Sequence, residues 1–176
     1  MLPRFRRKLK PSAAARRLYD GVVSRARQSI FHTGLAVPDT LDGRFDLLSL
    51  HAFAVMDALK SAGPAAEKVG TELASLIFAG FDDALRQLGV SDMGMGRRIR
   101  AMADAFYGRL EAYGAARDED ELAAALLRNV YRGDESRRRE TAALAHYIFA
   151  VRQNLRNQSG LLLQGQADFG SLPVVV

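Results

Sequence analysis

The chain has 176 residues, which is long enough for one domain with its own hydrophobic core. It contains no cysteine, so disulfides, thiolate metal sites and cysteine nucleophiles are excluded. Its three histidines lie far apart and lack metal-ligand spacing, and no apolar run approaches the ~20 residues that span a bilayer. The net charge is +5, yet seven of the 25 basic residues lie within residues 1–17, which contain no acid.

This basic segment is predicted to form a flexible arm over residues 1–12. Its charge favours contact with an anionic surface, either ribosomal RNA or lipid headgroups, through Arg4, Arg6, Arg7, Lys8 and Lys10. A solvated tail that aids solubility explains the same composition. The rest of the chain has 18 basic and 20 acidic residues, so the basic character belongs to the arm and not to the folded body.

Apolar residues recur at helical spacing along the body, and no strand pattern of period two persists. The predicted helices cover residues 13–31, 44–61, 64–88, 95–115, 118–133 and 135–157. Gly80 lies inside the third helix and indicates a close helix crossing, because glycine there costs about 1 kcal/mol relative to alanine. We therefore predict an all-α, single-domain bundle of about six helices over residues 13–157, followed by a poorly ordered tail over 158–176.

The start of the second helix carries an unusual density of turn and charged residues. Pro38 disfavours helix before it, Gly43 allows a tight backbone, and Thr40 or Asp42 can cap a helix that begins near Arg44. These features predict a turn that leads directly into a buried helix.

Arg44, Asp46 and His51 crowd the first turns of that helix and allow three interpretations. In the first they belong to a capping network, with Arg44 paired to Asp39 or Asp83. In the second they form a polar recognition patch for a segment of another protein. An acid–base pair of Asp46 and His51 is a third interpretation, but no nucleophile motif or phosphate loop accompanies it.

Tyr107, Gly108 and Arg109 form a second candidate site, within the fourth predicted helix. A mid-helix glycine costs stability, so another group needs the space beside it. Either a neighbouring helix packs closely on Gly108, or Gly108 is the floor of an apolar groove with Tyr107 and Arg109 at its rim. Such a groove suits an incoming helix, with the tyrosine and arginine as anchors.

Three motifs in order carry a family resemblance: PDTLDGRFDLLSLH at 38–51, FDDALRQLGVSD at 81–92 and AFYGR at 105–109. Together they resemble the ubiquinol–cytochrome c chaperone family over roughly residues 18–132. That family includes the mitochondrial assembly factor for respiratory complex III. The mitochondrial members of the family act on newly made cytochrome b, near the ribosome and with a small partner protein. The resemblance implies a non-enzymatic chaperone without metal or cofactor.

Together with this role, both candidate sites are predicted to bind the client protein. The predicted client-binding residues are Arg44, Asp46, His51, Tyr107, Gly108 and Arg109. A basic-armed protein that binds RNA or the ribosome is the alternative function. The arginine-rich, alanine-rich composition is typical of a GC-rich bacterial genome, which favours the bacterial cytoplasm or the surface of the inner membrane. For a eukaryotic chain the corresponding place is the mitochondrial matrix side.

Overall fold

The computed structural model describes residues 10–89 and 92–174. Residues 1–9 of the predicted arm, and with them Arg4, Arg6, Arg7 and Lys8, lie outside the described residues. Within them the α-helices, in chain order, are α1 (Ala13–Ala26), α2 (Ile30–Thr33), α3 (Leu41–Ser61), α4 (Pro64–Gln87), α5 (Asp92–Ala115), α6 (Glu119–Asn129), α7 (Arg138–Arg156) and α8 (Ser159–Leu163). A 3-10 turn, Glu135–Arg137, precedes α7, and no strand occurs in these two ranges. The prediction of an all-α, single-domain fold is confirmed.

Side-chain caps fix where several helices begin. Thr40 accepts a hydrogen bond from the Gly43 backbone N–H at 3.1 Å, so α3 starts at Leu41, earlier than predicted. Asp118 accepts from the Glu121 N–H at 2.8 Å and caps α6. Of the two caps that the sequence allowed at α3, the structure uses Thr40 rather than Asp42.

The region predicted as one helix over 13–31 is divided into α1 and α2. The break at residues 27–29 turns the chain so that Phe31 becomes fully buried. Its ring contacts His51 of α3 and Tyr147 of α7, at centroid distances of 5.1 and 5.5 Å. Burial of a large aromatic side chain compensates for the backbone hydrogen bonds that an unbroken helix would have kept.

The central helix of the bundle is α3, which contacts α1, α4, α5 and α7. Residues 51–55 of α3 are all buried, because this stretch is apolar or neutral on every side and is covered all round. The predicted close crossing at Gly80 is also present. A Cβ atom at Gly80 of α4 would lie 2.4 Å from the hydroxyl oxygen of Tyr19 on α1.

The C-terminal segment differs from the predicted loose tail. Leu162 of α8 is fully buried and Phe169 is 7% exposed, so both contribute to the core. The Arg25 guanidinium donates to the carbonyl oxygens of Gly170 at 2.8 Å and Ser171 at 2.7 Å. The Gly-, Gln- and Ser-rich composition predicted disorder, but two apolar side chains and one arginine from α1 hold this segment in place. Among the described helices, none is both long and apolar enough to span a membrane.

Candidate functional site

Residues from the three sequence motifs meet at one place between α3, α4 and α5. The Phe45 ring of α3 packs against Phe81 of α4 with the ring centroids 5.2 Å apart. The guanidinium carbon of Arg109, from α5, lies 5.1 Å from the Phe45 ring centroid. This cation–π contact brings positions from all three motifs into a single cluster.

Asp46 is the charged centre of this cluster and is fully buried. Its Oδ1 atom accepts a hydrogen bond from Nε of Arg109 at 2.9 Å. Its Oδ2 atom lies 2.9 Å from a terminal nitrogen of Arg132, in the loop after α6. Burial raises the pKa of the Asp46 carboxyl group, and the positive charges of Arg109 and Arg132 oppose that rise. We call these three residues the Asp46 node.

Arg132 was not among the predicted site residues. It adopts a left-handed backbone conformation, with φ of +56°, immediately before Gly133. That turn places its guanidinium over Asp46, although its side chain is 51% exposed. An arginine before a glycine is common in loops, and nothing in the sequence indicated which carboxylate it would meet.

The turn before α3 explains the other residues of the first motif. Gly43 is required by close approach, since a Cβ atom there would lie 1.9 Å from the Pro38 carbonyl oxygen. Arg44 is exposed and donates to Asp39 at 2.7 Å, and this hydrogen bond lowers the pKa of Asp39. The structure therefore places Arg44 in the capping network, paired with Asp39 and not with Asp83.

A cavity of about 200 Å³ lies between this turn and the loop after α6. It is lined by Pro38, Thr40, Asp42, Gly43, Asp46, Val130 and Arg132. The cavity is small and half open, and Asp46 at its inner end is already paired with two arginines. The cavity is therefore the gap left where the turn before α3 meets the loop after α6.

His51 lies in the interior and is fully buried. Its Nδ1 atom is 2.7 Å from the Leu47 carbonyl oxygen, which requires Nδ1 to carry the proton. Its Nε2 atom accepts from the Tyr147 hydroxyl at 3.0 Å, and that hydroxyl accepts from Nε of Arg25 at 2.8 Å. Both ring nitrogens are thus occupied by groups other than Asp46. The structure does not bring Asp46 and His51 together as an acid–base pair or on one exposed patch.

Burial lowers the pKa of His51 to about 4, which makes the stability of the fold depend on pH. In the unfolded chain a histidine binds a proton below about pH 6.5, whereas folded His51 stays neutral until about pH 4. The contribution of neutral His51 to the free energy of unfolding is therefore complete above pH 6.5 and is lost as pH falls towards 4. We expect about 2 kcal/mol of this loss between pH 6.5 and 5.

Urea unfolding of the wild type and His51→Gln at several pH values checks this expectation. The His51→Gln variant should lose less stability than the wild type over this range. His146→Gln is the matched control, because the His146 side chain is 76% exposed, and it should keep the wild-type slope. Equal slopes for all three proteins would show that His51 is not the group responsible.

Three consecutive residues of α5 have different surroundings: Tyr107, Gly108 and Arg109. Tyr107 is 46% exposed, and its ring centroid lies 5.8 Å from Phe78 and 5.4 Å from Phe106. A Cβ atom at Gly108 would meet no atom of the described residues within 4 Å, so none of the described helices packs there and that interpretation is wrong. Arg109 turns inward to the Asp46 node and is 14% exposed. The outer face of α5 therefore presents Tyr107 and Gly108, without an arginine rim.

Comparison with known proteins agrees with the sequence motifs. The family described as "Ubiquinol-cytochrome C chaperone" matches residues 33–169. The ubiquinol-cytochrome-c reductase complex assembly factor 1 of Xenopus laevis is 27% identical, over 90% of this chain and 82% of the frog protein. Its counterpart from Mus musculus is 25% identical over 94% of this chain, which spans 57% of the mouse protein.

A solved structure extends the likeness to three dimensions. The crystal structure of the Cbp3 homolog from Brucella abortus superposes with a TM-score of 0.83 and 36% sequence identity. The superposition covers 92% of this chain and 91% of the Brucella chain. Because the family match includes all three motifs and most of the helical body, this chain belongs to the ubiquinol–cytochrome c chaperone family.

Proposed function

We propose that this chain is a non-enzymatic assembly chaperone that binds newly made cytochrome b, or another membrane subunit of complex III, before assembly. Membership of the family supports a role in complex III assembly. The client itself is our inference, because a membrane subunit exposes apolar helices that need cover until they are inserted. Such a client would be bound at the ribosome, where it is synthesised. The chaperone could also act together with a small partner protein.

The observation that carries the proposal is the half-exposed ring of Tyr107. The ring is supported from behind by Phe78 and Phe106, which are 8% and 0% exposed. Since buried neighbours hold it, Tyr107 loses little conformational entropy when a partner covers it, as is typical of binding hot spots. Gly108 beside it leaves room for a partner to approach the helix backbone. We call Tyr107 and Gly108 the client surface.

The other predicted client-binding residues have supporting roles in this proposal. Asp46 and Arg109 link α3 to α5, and so they hold α5 in position behind the client surface. His51 stabilises the interior, and Arg44 closes the turn before α3. Direct contact with the client is therefore assigned to α5 alone.

Affinity capture of the full-length tagged chain from membranes of its own organism tests the proposal. We expect Tyr107→Ala to reduce the recovery of cytochrome b by about tenfold, because a hot-spot aromatic contributes more than about 1 kcal/mol. Gly108→Arg should reduce recovery as well, by placing a charged side chain on the client surface without touching the core. Leu41→Ala is the matched control, because Leu41 is 45% exposed at the start of α3, and it should leave recovery unchanged.

Different outcomes test the client surface and the chaperone role independently. Full recovery of cytochrome b with both α5 variants would contradict the client surface. Recovery of ribosomal RNA by the wild type, with no complex III subunit, would contradict the chaperone proposal. That result would favour a nucleic-acid contact through the basic arm, which should weaken steeply with salt.

A further inference from the structure

One side of α5 faces away from the bundle over its C-terminal half. Asp104, Tyr107, Gly108, Glu111 and Ala115 are all exposed and recur at intervals of three and four residues, which places them on one side of the helix. We call these five residues the outer stripe of α5. The client surface is its centre, and one carboxylate lies about one helical turn to either side of it.

Glu111 is the carboxylate of the outer stripe that has no cation one turn away on its own helix. The positions one turn before it hold Tyr107 and Gly108, and those one turn after it hold Gly114 and Ala115. A glutamate among a tyrosine and three small residues adds no apolar contact area of its own. Its charge is therefore the distinctive property of this part of the outer stripe.

The neighbouring arginines do not neutralise Glu111. Arg109 turns inward to Asp46 and is 14% exposed, and Arg117 pairs with Glu121. Arg100 lies one turn before Asp104, so it is closer along α5 to that carboxylate than to Glu111. Within residues 10–89 and 92–174, neither an ion pair nor a hydrogen bond joins the Glu111 side chain to another residue. Glu111 thus presents an uncompensated negative charge beside the client surface.

A cavity of about 300 Å³ adjoins the outer stripe between α5 and α6. Five alanines line it, among them Ala115 of the outer stripe and Ala112, the residue next to Glu111. The other two lining residues, Glu121 and Arg128, have opposite charges. Because alanine side chains are short, the cavity has room for an apolar side chain of a partner that lies along α5.

We propose that the client surface selects an apolar helix that carries a lysine or arginine beside its apolar contact residues, and that Glu111 pairs with this cation. The inference rests on the proposed function and names the kind of client segment that α5 binds. Tyr107 and the alanine-lined cavity provide apolar contact, which does not distinguish one apolar helix from another. Glu111 adds the distinction, because a carboxylate covered by a partner favours a basic segment and repels an acidic one. Membrane-spanning helices flanked by lysine or arginine have this chemistry.

A second copy of this chain fits the outer stripe less well. If two α5 helices packed antiparallel around a twofold axis at Tyr107 and Gly108, Glu111 of each copy would face Asp104 of the other. These two carboxylates lie at equal distances along the helix from the centre of the client surface, and like charges oppose association. The charge of the outer stripe therefore favours a partner of opposite charge.

Binding of two designed peptides to the full chain, measured by fluorescence anisotropy, tests the proposal. Both peptides are helices of about 20 alanine, leucine and glutamine residues. They differ at one position beside the leucines, which is arginine in one peptide and glutamate in the other. We expect the wild type to bind the arginine peptide about fivefold more tightly, with a preference that salt reduces. Glu111→Gln should remove the preference, and Glu111→Lys should reverse it.

Asp20→Lys is the matched control for Glu111→Lys. It changes the net charge by the same amount at an exposed position of α1, a helix that packs on α3, α4 and α8. This variant should keep the wild-type preference. Tyr107→Ala should weaken the binding of both peptides without changing the ratio of their affinities, because the tyrosine contributes contact area and not charge.

Several results would overturn the proposal. Equal binding of the two peptides by the wild type, or an unchanged preference in Glu111→Lys, would show that Glu111 does not select the client, while the client surface itself would stand. Failure of both peptides to bind would contradict the client surface as well. A wild-type dimer in analytical ultracentrifugation that Tyr107→Ala dissociates would identify a second copy as the occupant of the outer stripe.

Discussion

Replacement of Asp46 by asparagine is expected to lower the free energy of unfolding by about 4 kcal/mol. The substitution leaves the Arg109 guanidinium, 14% exposed, beside a neutral amide, so a largely buried positive charge loses its partner. It also releases Arg132 from the carboxylate oxygen that lies 2.9 Å away. Urea unfolding monitored by circular dichroism measures the change.

Asp39→Asn is the control for the Asp46 substitution. It removes the same carboxylate charge from a pair with Arg44, which lies only 2.7 Å away but in solvent. Exposed ion pairs contribute little, so this variant should unfold like the wild type. A loss for Asp46→Asn as small as that for Asp39→Asn would show that the Asp46 node does not hold α3, α5 and the loop after α6 together.

Replacement of Gly43 by alanine is expected to cost about 3 kcal/mol. The new Cβ atom would lie 1.9 Å from the Pro38 carbonyl oxygen, and backbone cannot move aside as a flexible side chain can. The turn before α3 must therefore open, which disturbs the Thr40 cap as well. Thermal unfolding followed by circular dichroism gives the direction and size of the change.

Gly108→Ala is the opposite case and serves as the control for Gly43→Ala. The alanine methyl group at position 108 meets nothing within 4 Å, so only helix propensity changes. We expect a gain of up to about 1 kcal/mol. Destabilisation by both substitutions would mean that helix context, and not the approach of Pro38, makes Gly43 necessary.

Helical periodicity and capping residues were sufficient to predict the bundle. Thr40 and Asp118 are local signals, because a cap acts within three residues of itself, and both helices start where these residues direct. The C-terminal segment was mispredicted because its order depends on a distant residue. Arg25 binds the carbonyl oxygens of residues 169–171, and no local pattern reveals such a contact.

The candidate site was predicted only in part, for the same reason. The motifs directed attention to Asp46, His51, Tyr107 and Arg109. In the structure Asp46 and His51 are buried, Arg109 pairs with Asp46, and Tyr107 is half-exposed. Sequence alone could not show that Arg109 turns towards Asp46 while Tyr107 turns outward, since both lie on one helix two residues apart. The burial of His51 depends on Phe31 and Tyr147, which come from two other helices.

The Asp46 node also bears on how the chain reaches its native state. Its hydrogen bond joins residues 63 positions apart, so a large loop must close before it forms. Contacts between neighbouring helices, such as α6 with α7, need much shorter loops, so we expect them to form first. An interaction absent from the transition state affects mainly the unfolding rate. We therefore expect the node to form after the helices have assembled and to slow unfolding more than it speeds folding.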